Sequence, residues 1–397
     1  MNILVFNCGS SSQAFKVYRV AEGHSPEVMI SGKAKNVATP TQSEASLSWQ
    51  ATGENWQKPI QAPSHGAVAE IILQALAEAQ VKIDAVGHRF VHGGAEFRQT
   101  TRIDPQSLER LRRCFPLAPI HNPNAYQVIE TCQRQLPGVA QYVVFDTAFH
   151  ANLPSAARHY ALPGELVTRF GFQKYGFHGL SYQFVSARAA AWFGFPPRLV
   201  ICHLGTGGAS LAAIQNGHSV DTSMGYSPLA GLVMSTRCGD LDAEIVLELM
   251  RQGWTADQIS HLLNDQSGLL GLSGFSSNLE EIIAAAEQGH TDCQLAYDVY
   301  VQRLKHYLGA YIWLLNGADA LVFTDDIGLH SWKLRERVCS GAENLGLSMD
   351  RRANCAAAAD RISAVHAPAS KIQILLIPTD EELMIVEELL KLHGGET

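Results

Sequence analysis

The sequence predicts an α/β protein built as two lobes around a cleft. Three observations predict it: a length of 397 residues, a strand–turn–strand device that occurs twice, and amphipathic helices alternating with apolar strands. At roughly 150 residues per domain the chain is too long for one core. Hydrophobic residues make up 46% and charged residues 17%, with mean hydropathy near zero, which is the balance of a globular protein with an ample core.

Each element follows from its local pattern. Ile3 to Phe6 is continuously apolar, breaks at Asn7-Cys8-Gly9-Ser10-Ser11-Ser12, and resumes from Ala14 to Val20 with β-branched and aromatic residues, which reads as strand, polar turn, strand. The device returns at Leu199 to Cys202, His203-Leu204-Gly205-Thr206-Gly207-Gly208, and Ala209 to Ile214. A third apolar strand, Ala320 to Phe323, ends in the polar turn Thr324-Asp325-Asp326-Ile327-Gly328. Between these lie helical stripes. Val68, Ile71, Ile72, Ala75, Leu76 and Ala79 recur at helical spacing, and a longer helix, roughly 294–315, carries Tyr297, Val301, Leu304, Leu308, Ile312 and Leu315. No linker divides the chain, so the boundary is placed from the duplicated devices: 1–147 with 377–397 as one lobe, 148–376 as the other.

Composition excludes several partners. Lys plus Arg number 30 against 38 Asp plus Glu, for a net charge of −8 with no dense basic run, so nucleic acid and anionic membranes are not expected. The eight cysteines are scattered without metal-ligand spacing, and read as reduced thiols of a cytoplasmic protein. The N-terminus runs directly into a strand pattern, with no basic leader and no apolar stretch of about 18 residues, so nothing marks the chain for export.

A Gly/Ser turn after a buried strand presents several N–H groups and hydroxyls that suit a phosphate. One such turn is ordinarily only a hairpin turn; two of matched form raise the case for phosphate binding to an even one. Arg89 stands in the strand-like run Val86 to Val91, where an unpaired charge is strongly unfavourable, so it needs an anion, either a structural carboxylate or a substrate. Val143-Val144-Phe145 ends on Asp146, and Ser235-Thr236-Arg237-Cys238-Gly239-Asp240 is a turn presenting a guanidinium.

Together with His88-Arg89-Phe90-Val91-His92-Gly93-Gly94, Ala118-Pro119-Ile120-His121-Asn122-Pro123, Phe145-Asp146-Thr147-Ala148-Phe149-His150, Tyr175-Gly176-Phe177-His178-Gly179, Asp221-Thr222-Ser223-Met224-Gly225 and Pro378-Thr379-Asp380-Glu381-Glu382-Leu383, these segments resemble the acetate kinase family over nearly the whole chain. The resemblance implies the two-lobed fold shared by acetate and sugar kinases, Hsp70 and actin, with duplicated ribonuclease-H-like domains, the last strand and helix returning to the first lobe. It implies that Arg89 and Arg237 bind the carboxylate and the transferring phosphoryl group and that His178 stabilises the transition state. Asn7 and Glu381 would help hold Mg²⁺ or Mn²⁺, and Val91, Ile120, Phe177 and Pro228 would form an apolar acyl pocket. By the same resemblance Ser10, Ser12, Lys16, His203, Gly205, Thr206, Gly207, Asn278, Leu279, Glu280, Asp326, Gly328 and His330 fall in the phosphate and donor regions, and the protein would be a homodimer. Asp146, assigned proton transfer in the family, is expected instead to orient Arg89, Arg237 or the metal, because a carboxylate substrate with a reference pKa near ~4 is already ionised at pH 7.

The departures from the family cluster at the donor region. Ala14 replaces the usual Lys after the triple Ser, with Lys16 two positions on and facing the same side of the strand. Thr206 replaces Asn, Asn278-Leu279-Glu280 replaces Asp-Phe-Arg, and Asp326-Ile327-Gly328-Leu329-His330 replaces Gly-Ile-Gly-Glu-Asn. Several variants, including Gly179-Leu180-Ser181-Tyr182, His203-Leu204-Gly205-Thr206-Gly207-Gly208, Met234-Ser235-Thr236-Arg237-Cys238-Gly239-Asp240 and Phe323-Thr324-Asp325, are similar to those of the pyrophosphate-linked acetate kinase of amoebae. The expectation is an acyl phosphotransferase with pyrophosphate/phosphate favoured over ATP/ADP. The alternatives are an ordinary ATP-dependent acetate or propionate kinase and a non-catalytic acyl-phosphate sensor. A sugar kinase is disfavoured by the apolar Val91, Phe177 and Pro228.

Overall fold

The computed structural model describes residues 1–38 and 44–393. The chain separates into two units, 1–151 together with the residues from Asp380 onward, and 152–379. Residues 394–397 of the expected first lobe lie outside the described residues.

The first unit holds one mixed sheet. Its strands are β1 (Asn2–Cys8), β2 (Ser12–Arg19), β3 (Glu27–Lys35), β4 (Ser46–Ala51), β5 (Glu54–Pro59), β6 (Ala85–Phe90), β7 (Thr101–Arg102) and β8 (Ala140–Phe145), in the order β5-β4-β3-β2-β1-β6-β8-β7. The second unit's strands are β9 (Leu199–Gly205), β10 (Gly208–Gln215), β11 (His218–Thr222), β12 (Ala320–Thr324), β13 (Ser363–Ala364) and β14 (Gln373–Leu376), in the order β11-β10-β9-β12-β14-β13. Both sheets contain one five-strand module: three antiparallel strands in meander (β3-β2-β1 and β11-β10-β9), then two parallel ones (β6-β8 and β12-β14). The duplicated device of the sequence is the β1–β2 and β9–β10 hairpin of that module.

Strand composition follows from position. Ile3 to Phe6 of β1 and Leu199 to Cys202 of β9 sit mid-sheet beside a parallel neighbour and are buried along their whole length, which is why they are continuously apolar. β2 alternates, with Phe15 and Val17 buried and Ala14 and Lys16 half-buried on the other face.

The early helix spans His65–Glu78, its N-cap Ser64 accepting from the Ala67 N–H. The long helix spans Thr291–Leu314, started by the His290 side chain accepting from the Cys293 N–H. Of the aromatic residues off its stripe, Tyr311 is buried and only Trp313, at 88% exposure, faces solvent fully.

Three expectations are corrected. The last strand, β14, pairs in parallel with β12 and belongs to the second unit's sheet, because Gln373 to Leu376 match β12 residue for residue. Only the helix Glu381–His393 returns to the first unit, where it rests on β6 so closely that a Cβ on Gly87 would lie 2.6 Å from Ile385 Cγ2. Thr324 to Gly328 is not a turn: Asp325 starts the short helix Asp325–His330, and two carboxylates in a first turn favour a helix over a loop. Finally, β9 runs on through His203 and Leu204 to Gly205, which shortens the second phosphate turn to Thr206-Gly207.

Candidate active site

In the first unit the polar groups gather where β1, β6 and β8 end beside the start of the helix Glu381–His393. Arg89, near the end of β6, donates from Nε to Asp146 Oδ1 at 2.8 Å and from Nη2 to Asp146 Oδ2 at 2.5 Å, a bidentate pair. Its Nη1 donates to Asn7 Oδ1 at 2.8 Å, and Glu381 lies 3.8 Å away. Burial alone would lower the Arg89 pKa; the carboxylates of Asp146, Glu381 and Glu382 outweigh it and raise the pKa, so the guanidinium is permanently charged. Asn7 Nδ2 donates to Glu382 Oε1 at 2.8 Å. Asn122, buried in the Ile120-His121-Asn122-Pro123 motif, ties loops together by donating to the carbonyls of His92 and Cys114, a structural role.

Lys16 is already paired. Its ammonium lies 3.1 Å from Asp380 and 3.3 Å from Glu382, so two carboxylates hold the cation that stands two positions after Ala14. Burial works to lower its pKa, and those two carboxylates more than offset that and raise it. In the first turn, Ser10 is exposed and Ser12 half-buried. Of the acyl-pocket residues here, Val91 is half-buried and Ile120 is 63% exposed.

In the second unit His178 precedes the helix Gly179–Phe193 in a left-handed conformation (φ 59°), a strained state for a residue with a Cβ. Its Nδ1 pairs with Ser210 Oγ at 2.8 Å, and Ser210 Oγ pairs with Tyr182 OH at 2.5 Å. The imidazole stacks on His203 with ring centroids 4.1 Å apart. His203 in turn pairs with Ser181 Oγ through Nδ1 (2.9 Å) and with Asp325 Oδ2 through Nε2 (3.1 Å). Sequence reasoning missed Ser181, Tyr182 and Ser210. The available signal was a hydroxyl inside the apolar run Ala209 to Ile214, where burial is unfavourable without a partner.

Arg237 contrasts with Arg89. Its Nη1 donates to the Pro228 carbonyl and its Nη2 to the Gly207 carbonyl, each at 2.9 Å, and among the described residues it forms no ion pair with a carboxylate. Burial lowers its pKa, with Asp265 opposing at longer range. Phe177 is buried and Pro228 half-buried.

Of the residues expected in the donor region, Gly205, Thr206, Asp326 and His330 come together, with Asp325 beside them. Asp326 accepts from the Thr206 N–H (2.9 Å) and Oγ1 (2.7 Å), so a carboxylate already occupies both donors of Thr206 in the second of the turns expected to bind phosphate. Asp325, also left-handed (φ 65°), lies against Gly205 so closely that a Cβ there would be 2.1 Å from Asp325 Oδ2. Gly328 is buried, and His330, exposed, bonds the Asp326 carbonyl. Asn278 is the N-cap of Leu279–Glu287, Leu279 is buried in the core and Glu280 is exposed, so the first two serve the fold.

For the implied divalent cation, Asn7 Oδ1 and the carboxylates of Glu381 and Glu382 are hard oxygen donors. Among the described residues no group of three or more His, Cys, Asp or Glu could hold a metal unaided. That donor set fits Mg²⁺, which keeps several waters and is usually shared with substrate phosphates.

The family model described as "Acetokinase family" matches residues 2–387. The acetate kinase of Heliobacterium modesticaldum is 40% identical over 408 residues, covering 100% of both chains. Among solved structures, a propionate kinase from Francisella tularensis (36% identity, 98% of each chain) and the acetate kinase from Entamoeba histolytica (38% identity, 98% of this chain and 99% of that one) each superpose with a TM-score of 0.89. The bacterial and amoebal structures fit equally well, so overall likeness favours neither subgroup.

Proposed function

The chain belongs to the acetokinase family, and from that premise we propose that it moves a phosphoryl group reversibly between a short-chain acyl phosphate, acetyl phosphate first, and a phosphate acceptor. Arg237 carries the reading. Phosphoryl transfer depends on positioning and on neutralising the charge of the phosphoryl oxygens, and a half-buried guanidinium offered only neutral acceptors, two carbonyl oxygens and the Met234 sulfur, is a cation with room for an anion. His178, fixed by Ser210 and the His203 ring, adds a directional donor. Arg89 arrives already oriented by Asp146, and the carboxylate nucleophile needs no base, so Asp146 acts by holding Arg89.

Glu381 and Asn7 would hold the divalent cation, whose chemistry when bound is further neutralisation of phosphoryl charge. Val91, Ile120, Phe177 and Pro228 favour a short acyl chain. A methylene is worth only about 1–3 kcal/mol in such a pocket, so propionyl phosphate is also a substrate.

The donor pair we propose is pyrophosphate/phosphate. Asp326 engages the Thr206 N–H and hydroxyl, and Glu280 adds an anion where an adenosine contact is expected. The ATP/ADP alternative fits the named bacterial relatives. Eight free cysteines support a reducing, cytoplasmic setting. The helix Ala243–Arg251, which exposes Ile245, Leu247 and Met250, supports a homodimer, to be read by sedimentation.

The test is acetyl phosphate consumption with Mg²⁺, offering ADP and orthophosphate side by side and detecting ATP and pyrophosphate separately. Pyrophosphate alone supports the proposed pair. ATP alone assigns the nucleotide pair, and failure with both acceptors leaves the sensor.

A further inference from the structure

His65 is completely buried, at 0% exposure, and neither ring nitrogen has a hydrogen-bond partner of full geometry. A buried polar group in that state calls for an explanation. The ring lies against the backbone of Ser12 and Gly9, beneath the first phosphate turn. Burial pushes its pKa down, so the ring is neutral at pH 7 and offers one N–H and one lone pair.

The turn above it is built with its carbonyls facing protein. The Ser10 carbonyl accepts from Asn124 Nδ2 (3.4 Å), that of Ser11 from the Val37 N–H (3.0 Å), and that of Ser12 from the Gly9 N–H (2.8 Å). Among the described residues the N–H groups of Ser10 and Ser11 have no protein acceptor. Those two N–H groups are open to an anion, in a turn whose serine carbonyls are engaged by the protein.

His65 itself cannot drift. Ser64 caps its helix, and a Cβ on the next residue, Gly66, would already be 3.2 Å from Thr131 Oγ1 on the neighbouring helix.

We infer that His65 is a positioning residue for phosphoryl transfer: its buried imidazole fixes the backbone of the turn from Gly9 to Ser12, keeping the N–H groups and hydroxyls of the serines aimed at an incoming phosphate. The inference rests on the phosphotransfer reading. It separates His65 from a merely structural histidine, whose replacement by an apolar side chain of similar volume would be neutral or stabilising.

The test compares H65L, H65N and H65Q with the parent protein. Steady-state kinetics with acetyl phosphate are measured alongside calorimetric titration of orthophosphate and thermal melting. The leucine variant should melt at or above the parent temperature, yet raise KM for acetyl phosphate and weaken orthophosphate binding by about tenfold, with kcat changed less. The glutamine variant, which restores a donor and an acceptor, should recover most of that loss. The shorter asparagine amide should not, and it keeps the test decisive if H65L does not fold. Unchanged KM and phosphate affinity in H65L or H65N would overturn the inference, as would a glutamine variant no better than leucine. If the parent protein fails to turn over acetyl phosphate, a tenfold loss of orthophosphate affinity in H65L still supports the role of His65, while the functional reading fails.

Discussion

Replacing Asp146 with Asn tests how the first unit's polar cluster works. The carboxylate holds Arg89 through two bonds, at 2.8 and 2.5 Å. At ~4 Å between charge centres and an effective dielectric constant of ~20, the attraction is about 4 kcal/mol. Removing one partner of a buried pair costs about 3–5 kcal/mol. The amide keeps one acceptor but turns an NH₂ towards a guanidinium N–H, so Arg89 is left with Asn7 and the more distant Glu381. A displacement of about 1 Å in a positioning group costs about 10²-fold in rate, so kcat/KM for acetyl phosphate should fall by about 10²–10³. The assay is a double-mutant cycle. If Asp146 acts through Arg89, adding D146N to R89A changes kcat/KM by less than about threefold, and the coupling energy is about 3 kcal/mol. Additive losses would refute this reasoning, because Asp146 would then act on the substrate or the metal independently of Arg89.

Three more outcomes follow from the geometry. His88, buried between Phe6 and Gln141, has its pKa pushed by burial from 6.5 to about 4. The unfolded chain takes up a proton that the native state refuses, so stability is complete above pH 6.5 and falls by about 3 kcal/mol as pH drops towards 4. Urea midpoints at pH 7 and pH 4.5 should show most of that loss, about 2.5 kcal/mol, and H88Q should flatten it. D326G removes the carboxylate from Thr206 and should raise ATP formation from ADP relative to pyrophosphate formation from orthophosphate; an unchanged product ratio would remove Asp326 from donor selection. Chelation should abolish turnover without moving the melting temperature of the unliganded protein, since no metal cage supports the fold among the described residues, and E381Q should raise the Mg²⁺ concentration needed for half-maximal rate.

How much was legible depended on whether a residue's role is local. The paired hairpins were readable because strand burial and turn composition are written in consecutive residues, and the structure places them at equivalent positions in two copies of one sheet module. Arg89 announced its need for an anion through its apolar surroundings. Its partner could be narrowed only to a role for Asp146, because 57 residues separate them. The ion pairs of Lys16 were illegible for the same reason. Its two carboxylates come from the far end of the chain, and no spacing rule relates β2 to Asp380 and Glu382. The boundary at 376 already kept Gln373 to Leu376 in the second unit, while the last strand that the resemblance places in the first lobe is not found there among the described residues, because a short apolar strand carries no mark of which sheet it will join. His65 escaped notice altogether: a histidine at the first position of a helix looks solvated until the turn that covers it is in place.

The returning helix Glu381–His393 has a consequence for biogenesis. The second unit is contiguous in sequence and complete once residue 379 has been made, whereas β1 and β6 wait for the final segment to cover Gly87 and to deliver Asp380, Glu381 and Glu382. At about 5–20 residues per second, the first half to be synthesised is therefore the last to close. A chain stalled or clipped before residue 380 would carry a finished second unit and an open first one, with the sheet face around Val5 and Gly87 uncovered, a species for chaperones to hold rather than a slower enzyme.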